Sequence, residues 1–170
     1  MLKILALFEA CPCGPAQGAR IRALKTLEAL SEISEVTLVL ISRYLHDKQD
    51  LALTRENTRL AESFTLTPSQ LSATERIRHE INPYFLNTHR TKLEPQQQNR
   101  ILELADENDL LWFHTIVPAN CANILDAIPA VLDIDDLLST YYSSISKHGS
   151  FFRKLLNKRM SILWRRQELV

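Results

Sequence analysis

The sequence predicts an α/β fold, a doubly wound parallel sheet with helices on both faces, formed as a single domain over residues 1–170. Three observations carry this expectation. Leu2 to Phe8 and Glu35 to Ser42 are nearly continuous apolar runs, the pattern of strands buried on both faces. An amphipathic stretch separates them, so about 42 residues make one strand-helix-strand unit, whose crossover should be right-handed and its strands parallel. Beyond it, apolar strand-like runs and helical patterns keep alternating, at Asp109 to Phe113 and again at Ala130 to Ile134.

In chain order, Leu2 to Phe8 is the opening strand, and the loop Cys11 to Gly18 is too rich in Pro and Gly for helix. The first helix runs from about Ala19 to Ile33, with Ile21, Leu24, Leu27 and Leu30 recurring at three-residue steps. Glu35 to Ser42 is the second strand. Asp50 to Glu62 is expected as a helix and Ser63 to Leu66 as a short third strand. Thr67-Pro68-Ser69 is a loop, followed by a helix from about Ser72 to Ile81. Asn82 to Pro95 lacks apolar periodicity, and Glu94 to Asn108 is a helix with Ile101, Leu102, Leu104 and Ala105 inward. The strand Asp109 to Phe113 ends in His114, a short helix spans Asn120 to Ile128, and the strand Ala130 to Ile134 ends in acids. From Ser150 to the terminus the pattern is a long basic helix.

Composition narrows the function classes. Twenty basic residues balance 20 acidic ones, so no global field attracts nucleic acid or an anionic membrane. The distribution is uneven: from Lys147 onward seven basic residues stand against Glu168 alone. That helix, residues 150–170, is a candidate membrane-docking surface, with a solvated helix face as the alternative. Met1-Leu2-Lys3 leads into too few apolar residues for a signal peptide, and three cysteines is an odd number. A cytoplasmic setting is expected, peripheral at the inner membrane face if the basic helix docks. Cys11-Pro12-Cys13 has no second Cys/His pair at ligand spacing, so it is read as ordinary loop cysteines rather than a metal site.

Ligands bind beyond the carboxyl ends of strands in such sheets, and three features collect there. Gly18-Ala19-Arg20 opens the first helix, where exposed N–H groups favour an anion; the alternative is an ordinary strand-to-helix connection with surface arginines. Neither GxGxxG nor a Walker A pattern occurs. His114 suits a hydrogen bond to a substrate hydroxyl, or a proton relay, or a bond to a nearby backbone carbonyl. Asp133, Asp135 and Asp136 crowd three carboxylates at a strand end, which suits hydroxyl binding, proton abstraction or Mg²⁺. Asp136 alone is also a candidate helix cap.

Two resemblances bear on this acidic run. Val131-Leu132-Asp133-Ile134-Asp135-Asp136 looks locally like the Asp-x-Asp nucleophile motif of haloacid dehalogenase phosphatases, with Leu137 where that family has Thr or Val. That motif normally opens its domain, whereas here a basic helix follows. The wider resemblance covers nearly the whole chain: it is similar to the Rossmann-like N-terminal domain of GT-B glycosyltransferases of the family-4 type. The matching residues are Leu2 to Phe8, the Pro15 to Arg22 loop and helix start, Glu35 to Ser42, Asp109 to His114 and Ala130 to Asp136. In that family the loop often reads Gly-Gly followed by Arg; Gly18 and Arg20 fit, with Ala19 in place of the second glycine, and Asp135 stands where many members carry histidine.

The resemblance implies an acceptor-binding half, with Gly18, Ala19, Arg20, His114, Asp133 and Asp136 around a sugar acceptor and Asp135 in catalysis. It implies a glycan or glycolipid acceptor, no resident metal or other cofactor, and a nucleotide-sugar donor held by a second, C-terminal domain. A chain ending at Val170 is expected to lack that second domain, and alone to transfer no sugar. The competing non-enzymatic reading is a Rossmann-like binding module.

Overall fold

The computed structural model describes residues 1–13, 18–43, 45–68, 72–74, 77, 91–122, 124, 126–134 and 137–168. The elements in chain order are β1 (Lys3–Phe8), α1 (Gly18–Ile33), β2 (Glu35–Ser42), α2 (Lys48–Asn57), β3 (Leu60–Thr65), β4 (Thr67–Pro68), β5 (Thr91–Lys92), α3 (Pro95–Asp106), β6 (Leu110–His114), α4 (Ile116–Ala122), β7 (Ala130–Asp133), α5 (Leu138–Ile145) and α6 (Phe151–Glu168). The helix expected at 72–81 and the stretch 82–95 fall largely outside the described residues.

Five strands form one sheet in the order β3-β2-β1-β6-β7, every neighbouring pair parallel. The chain winds outward from β1 through β2 to β3, then returns to the other side of β1 for β6 and β7. The strand order therefore reverses between β1 and β6, and in open sheets of this kind the carboxyl ends of the strands flanking such a reversal are where ligands bind. The sequence expectation of a doubly wound parallel sheet is what the chain forms.

The apolar runs explain the order. Ile4, Leu5, Ala6, Leu7 and Phe8 are all essentially inaccessible, as are Leu38 to Ile41 in β2. Strands alternate their side chains, so both faces of the sheet centre are covered. Ala6, Phe8, Leu38 and Leu40 share one face with Ala23 and Leu27 of α1, and Trp112 packs against the same cluster. The outer strands β3 and β7 are only partly buried, as edge strands of an open sheet should be.

Several local expectations shift by identifiable causes. The buried face of α1 is Ala23, Leu27 and Leu30, with Ile21 half-exposed. Three-residue steps drift around a helix of 3.6 residues per turn, whereas four-and-three steps hold one face. Leu102 of α3 likewise faces outward, while Ile101, Leu104 and Ala105 are inward. The helix expected over Asp50 to Glu62 stops at Asn57. Asn57 Nδ2 donates to the Leu53 carbonyl and Thr58 Oγ1 to the Thr54 carbonyl, while Thr58 itself is extended, with φ −145°. The last-turn carbonyls are thus taken by side chains, and β3 begins three residues earlier than expected, at Leu60.

The short helix expected at Asn120 to Ile128 instead spans Ile116–Ala122, with Pro118 in its first turn, where no intrahelical N–H is needed. Thr67–Pro68, expected as loop, pairs antiparallel with Thr91–Lys92 in a two-stranded ribbon. A capping interaction fixes the start of α3: the Glu94 N–H donates to Gln97 Oε1 at 3.0 Å, and Pro95 follows at the first helical position.

The chain divides into two compact units. One holds the sheet (Met1–Pro68 and Thr91–Asp133); the other comprises Ser69–Arg90 and Ile134–Val170. In the second unit α5 packs along α6, and Ser161 Oγ donates to the Ser139 carbonyl at 2.8 Å. Leu163 and Trp164 of α6 are buried.

Candidate functional site

The last complete row of the sheet at its carboxyl edge can be followed residue by residue. Leu40 pairs in register with Phe8, Phe8 with His114, and His114 with Asp133. Register partners in a parallel sheet share a face, and this is the face carrying α1. The row is apolar on the β2 side and becomes polar where the strand order reverses.

His114 is only 3% exposed. Its ring lies on Phe8, with centroids 4.6 Å apart and planes tilted by 31°. Neither Nδ1 nor Nε2 has a hydrogen-bond partner among the described residues. Burial pulls the imidazole below its ordinary pKa, against the opposing pull of the Asp133 carboxylate, and the Arg22 guanidinium lowers it further. The ring is therefore neutral at pH 7, with one nitrogen able to donate and the other to accept.

Thr115, directly after β6, has φ 90°, a left-handed backbone that a β-branched residue adopts only under strain. Its N–H donates to the Asp133 carbonyl at 3.0 Å, which clamps the tips of β6 and β7 together. Its Oγ1 is buried and unpartnered among the described residues. Strain of this kind persists where the surroundings over-determine it, and such positions gather at ligand sites. Thr115→Gly is expected to raise the unfolding free energy by about 1 kcal/mol: relief of about 1–3 kcal/mol of strain exceeds the extra chain entropy of glycine. A urea titration of the two chains checks it.

Asp133 is held by Arg22, whose guanidinium lies 2.6 Å from Oδ1. Both side chains are partly exposed, so the pair positions the carboxylate more than it stabilises the fold. Arg20 and Arg22, two residues apart, leave α1 about 200° apart and serve different neighbourhoods. Arg20 turns to the nearly buried Asp50 of α2 at 2.5 Å. Around that pair lie Cys11, whose Sγ is 2.9 Å from Thr54 Oγ1, and His46, whose buried Nε2 has no partner among the described residues. Burial lowers the His46 pKa, with Arg20 adding to the effect. Burial likewise raises that of the Cys11 thiol. None of Cys11, Cys13 and Cys121 is in a disulfide.

The residues singled out from sequence thus fall into three places. His114 and Asp133 come together, with Arg22 and Thr115 as their unforeseen neighbours. Gly18 and Ala19 are exposed at the start of α1, and a Cβ built on Gly18 meets nothing within 4 Å, so the helix start faces open space. Arg20 is engaged with Asp50. Asp135 and Asp136 lie outside the described residues, and the helix that Asp136 was a candidate to cap has Leu137 at its N-cap. Arg22 stood in the motif at the helix start, but its partner is 111 residues away and no local signal names it. Thr115 carries no sequence signal at all.

A polar cavity of about 510 Å³ opens at the opposite, amino edge of the sheet, lined by Lys3, Glu35, Arg59 and Glu107 among others. Within it Arg59 pairs with Glu35, and the Lys3 backbone N–H donates to Asp109 Oδ2. At the carboxyl edge, by contrast, His114 and Thr115 carry buried polar atoms without partners among the described residues.

No protein-family model matches the chain, and no curated protein matches it. Among solved structures it is similar to one described as a UDP-N-acetylglucosamine 2-epimerase from Listeria monocytogenes, at 14% identity and a TM-score of 0.44. The match covers 98% of this chain and 42% of that one, so the chain spans less than half the length of that structure. No helix among the described residues is long and apolar enough to cross a membrane.

Proposed function

We propose that this chain is the acceptor-binding half of a glycosyltransferase, which moves a sugar from a nucleotide-sugar donor to a glycan or glycolipid. The observation that carries the proposal is His114: a buried imidazole with no hydrogen-bond partner at either nitrogen among the described residues, at the point where the strand order reverses. A sugar hydroxyl both donates and accepts, which matches an imidazole, the Thr115 hydroxyl and a carboxylate held in place by arginine. In this reading His114, Thr115 and Asp133 take acceptor hydroxyls, and Arg22 orients Asp133. Gly18 and Ala19 present the open start of α1, and Arg20 with Asp50 fixes that helix against α2. Asp135, two residues beyond Asp133 in the sequence, is assigned the acceptor proton, and Asp136 follows it in the sequence. The donor is supplied by a separate nucleotide-binding domain.

The test is binding and turnover by this 170-residue chain. Saturation-transfer NMR is expected to show sugar protons in contact with the protein. His114→Ala is expected to weaken that contact about tenfold, the effect of losing one or two buried hydrogen bonds of about 1.4 kcal/mol in total. Nucleotide sugars should remain intact. Turnover of a nucleotide sugar by the chain alone would contradict the proposal. Mg²⁺-dependent phosphate hydrolysis abolished by Asp133→Asn would replace it with the phosphatase reading.

A further inference from the structure

The outer face of α6 is built from two kinds of side chain that rarely share a solvated surface. Phe151 and Phe152 are each 76% exposed, and Leu155, Leu156 and Ile162 are about half-exposed. The two phenyl rings meet edge to face at 6.1 Å at the start of the helix. At 100° per residue Phe151, Leu155 and Ile162 fall within about 40° of one another, and Phe152 and Leu156 stand further round on one side, beyond Arg166 and Arg159. On the other side, within about 60°, stand Lys154, Lys158 and Arg165, all exposed. The helix carries six basic residues and one acidic residue. Arg159 and Arg166 have interactions of their own and are not counted toward this surface.

We infer that α6 docks the chain onto an anionic lipid surface, with Phe151, Phe152, Leu155 and Ile162 entering the headgroup layer and Lys154, Lys158 and Arg165 holding the anionic headgroups beside them. Its 18 residues make a rod about 27 Å long, and its charge keeps it out of the hydrocarbon core, so it lies in the plane of the interface. Charge complementarity selects the occupant. A second protein surface that matched only the apolar stripe would leave the flanking cations without partners. A nucleic acid would match the cations and leave five apolar side chains in water. An anionic bilayer meets both demands at once. This inference does not depend on the proposed sugar-transfer role.

The experiment is co-flotation of the whole chain with vesicles of phosphatidylcholine alone or doped with phosphatidylglycerol. Binding to the doped vesicles is expected to exceed binding to neutral ones by at least about tenfold and to fall with salt. The triple variant Lys154→Glu, Lys158→Glu, Arg165→Glu is expected to lose that difference, and Phe151→Ser with Phe152→Ser to lose binding to both. All five positions are exposed, so circular dichroism should be unchanged. Equal binding to neutral and anionic vesicles, or none to either, would overturn the inference. So would charge-reversed protein that binds as before, self-association that hides the phenyl rings in solution, or preferential capture by single-stranded RNA added in competition.

Discussion

Replacing Phe8 with alanine is expected to cost about 3–5 kcal/mol of unfolding free energy. Phe8 is fully buried in the central strand, against Leu38, Leu40, Ala23 and Leu27, and its ring supports that of His114. Removing the ring forfeits its burial and leaves a void that rigid strands on both sides cannot close. The effect reaches beyond stability, because the His114 imidazole loses the surface that sets its plane. Chemical denaturation measures the first consequence. The histidine ring proton resonances, which should sharpen and move toward solvent-exposed shifts, measure the second.

His114→Leu is expected to act in the opposite sense. Two buried nitrogens without partners among the described residues are costly, and an apolar side chain of similar size removes that cost, so stability should rise by about 1–2 kcal/mol. Acceptor contact should be lost in the same variant. The pH dependence gives a separate check. Burial holds the native His114 pKa below its unfolded value of about 6.5, so the unfolded chain takes up a proton that the native ring refuses. Stability contributed in this way is complete above about pH 6.5 and falls as the pH drops below it, with the loss levelling off beneath the native pKa. The native chain should therefore lose stability between about pH 7.5 and 5.5, and His114→Leu should lose less. His46, also lowered by burial, supplies a residual slope in both. Urea titrations at the two pH values read out the difference. A leucine variant that is less stable at both would mean that the imidazole is bonded in the native protein.

The strands at the sheet centre were legible because burial on both faces writes itself as an unbroken apolar run. Leu2 to Phe8 and Glu35 to Ser42 can be little else, and their parallel pairing follows from the helix between them. The edge of α2 was not legible, because what ends that helix is a pair of side chains, Asn57 and Thr58, bonding back to the preceding turn. A hydrophobicity pattern does not record such bonds. The ribbon of Thr67–Pro68 with Thr91–Lys92 was equally hidden, since two-residue strands have no period and exist only through a distant partner.

At the site, His114 and Asp133 could be named because charged and polar residues at the mouths of buried strands are conspicuous. What they do there could not. Arg22 meets Asp133 only because α1 lies over the row that Asp133 ends, and that is a property of the assembled sheet. The strain at Thr115 lies in a backbone angle that the identity of the residue argues against. Gly18 and Ala19 were correctly seen as the start of a helix, but their openness to solvent is a fact of the fold.

The two tryptophans of the chain stand one in each compact unit, Trp112 in β6 and Trp164 in α6. Both indole N–H groups are screened from solvent and lack hydrogen-bond partners among the described residues. The protein thus contains an intrinsic optical probe of the sheet and another of the helical pair. With either indole replaced by phenylalanine, the remaining emission follows one unit alone. Fluorescence can then tell whether the two units melt in one step or in two, without any attached dye.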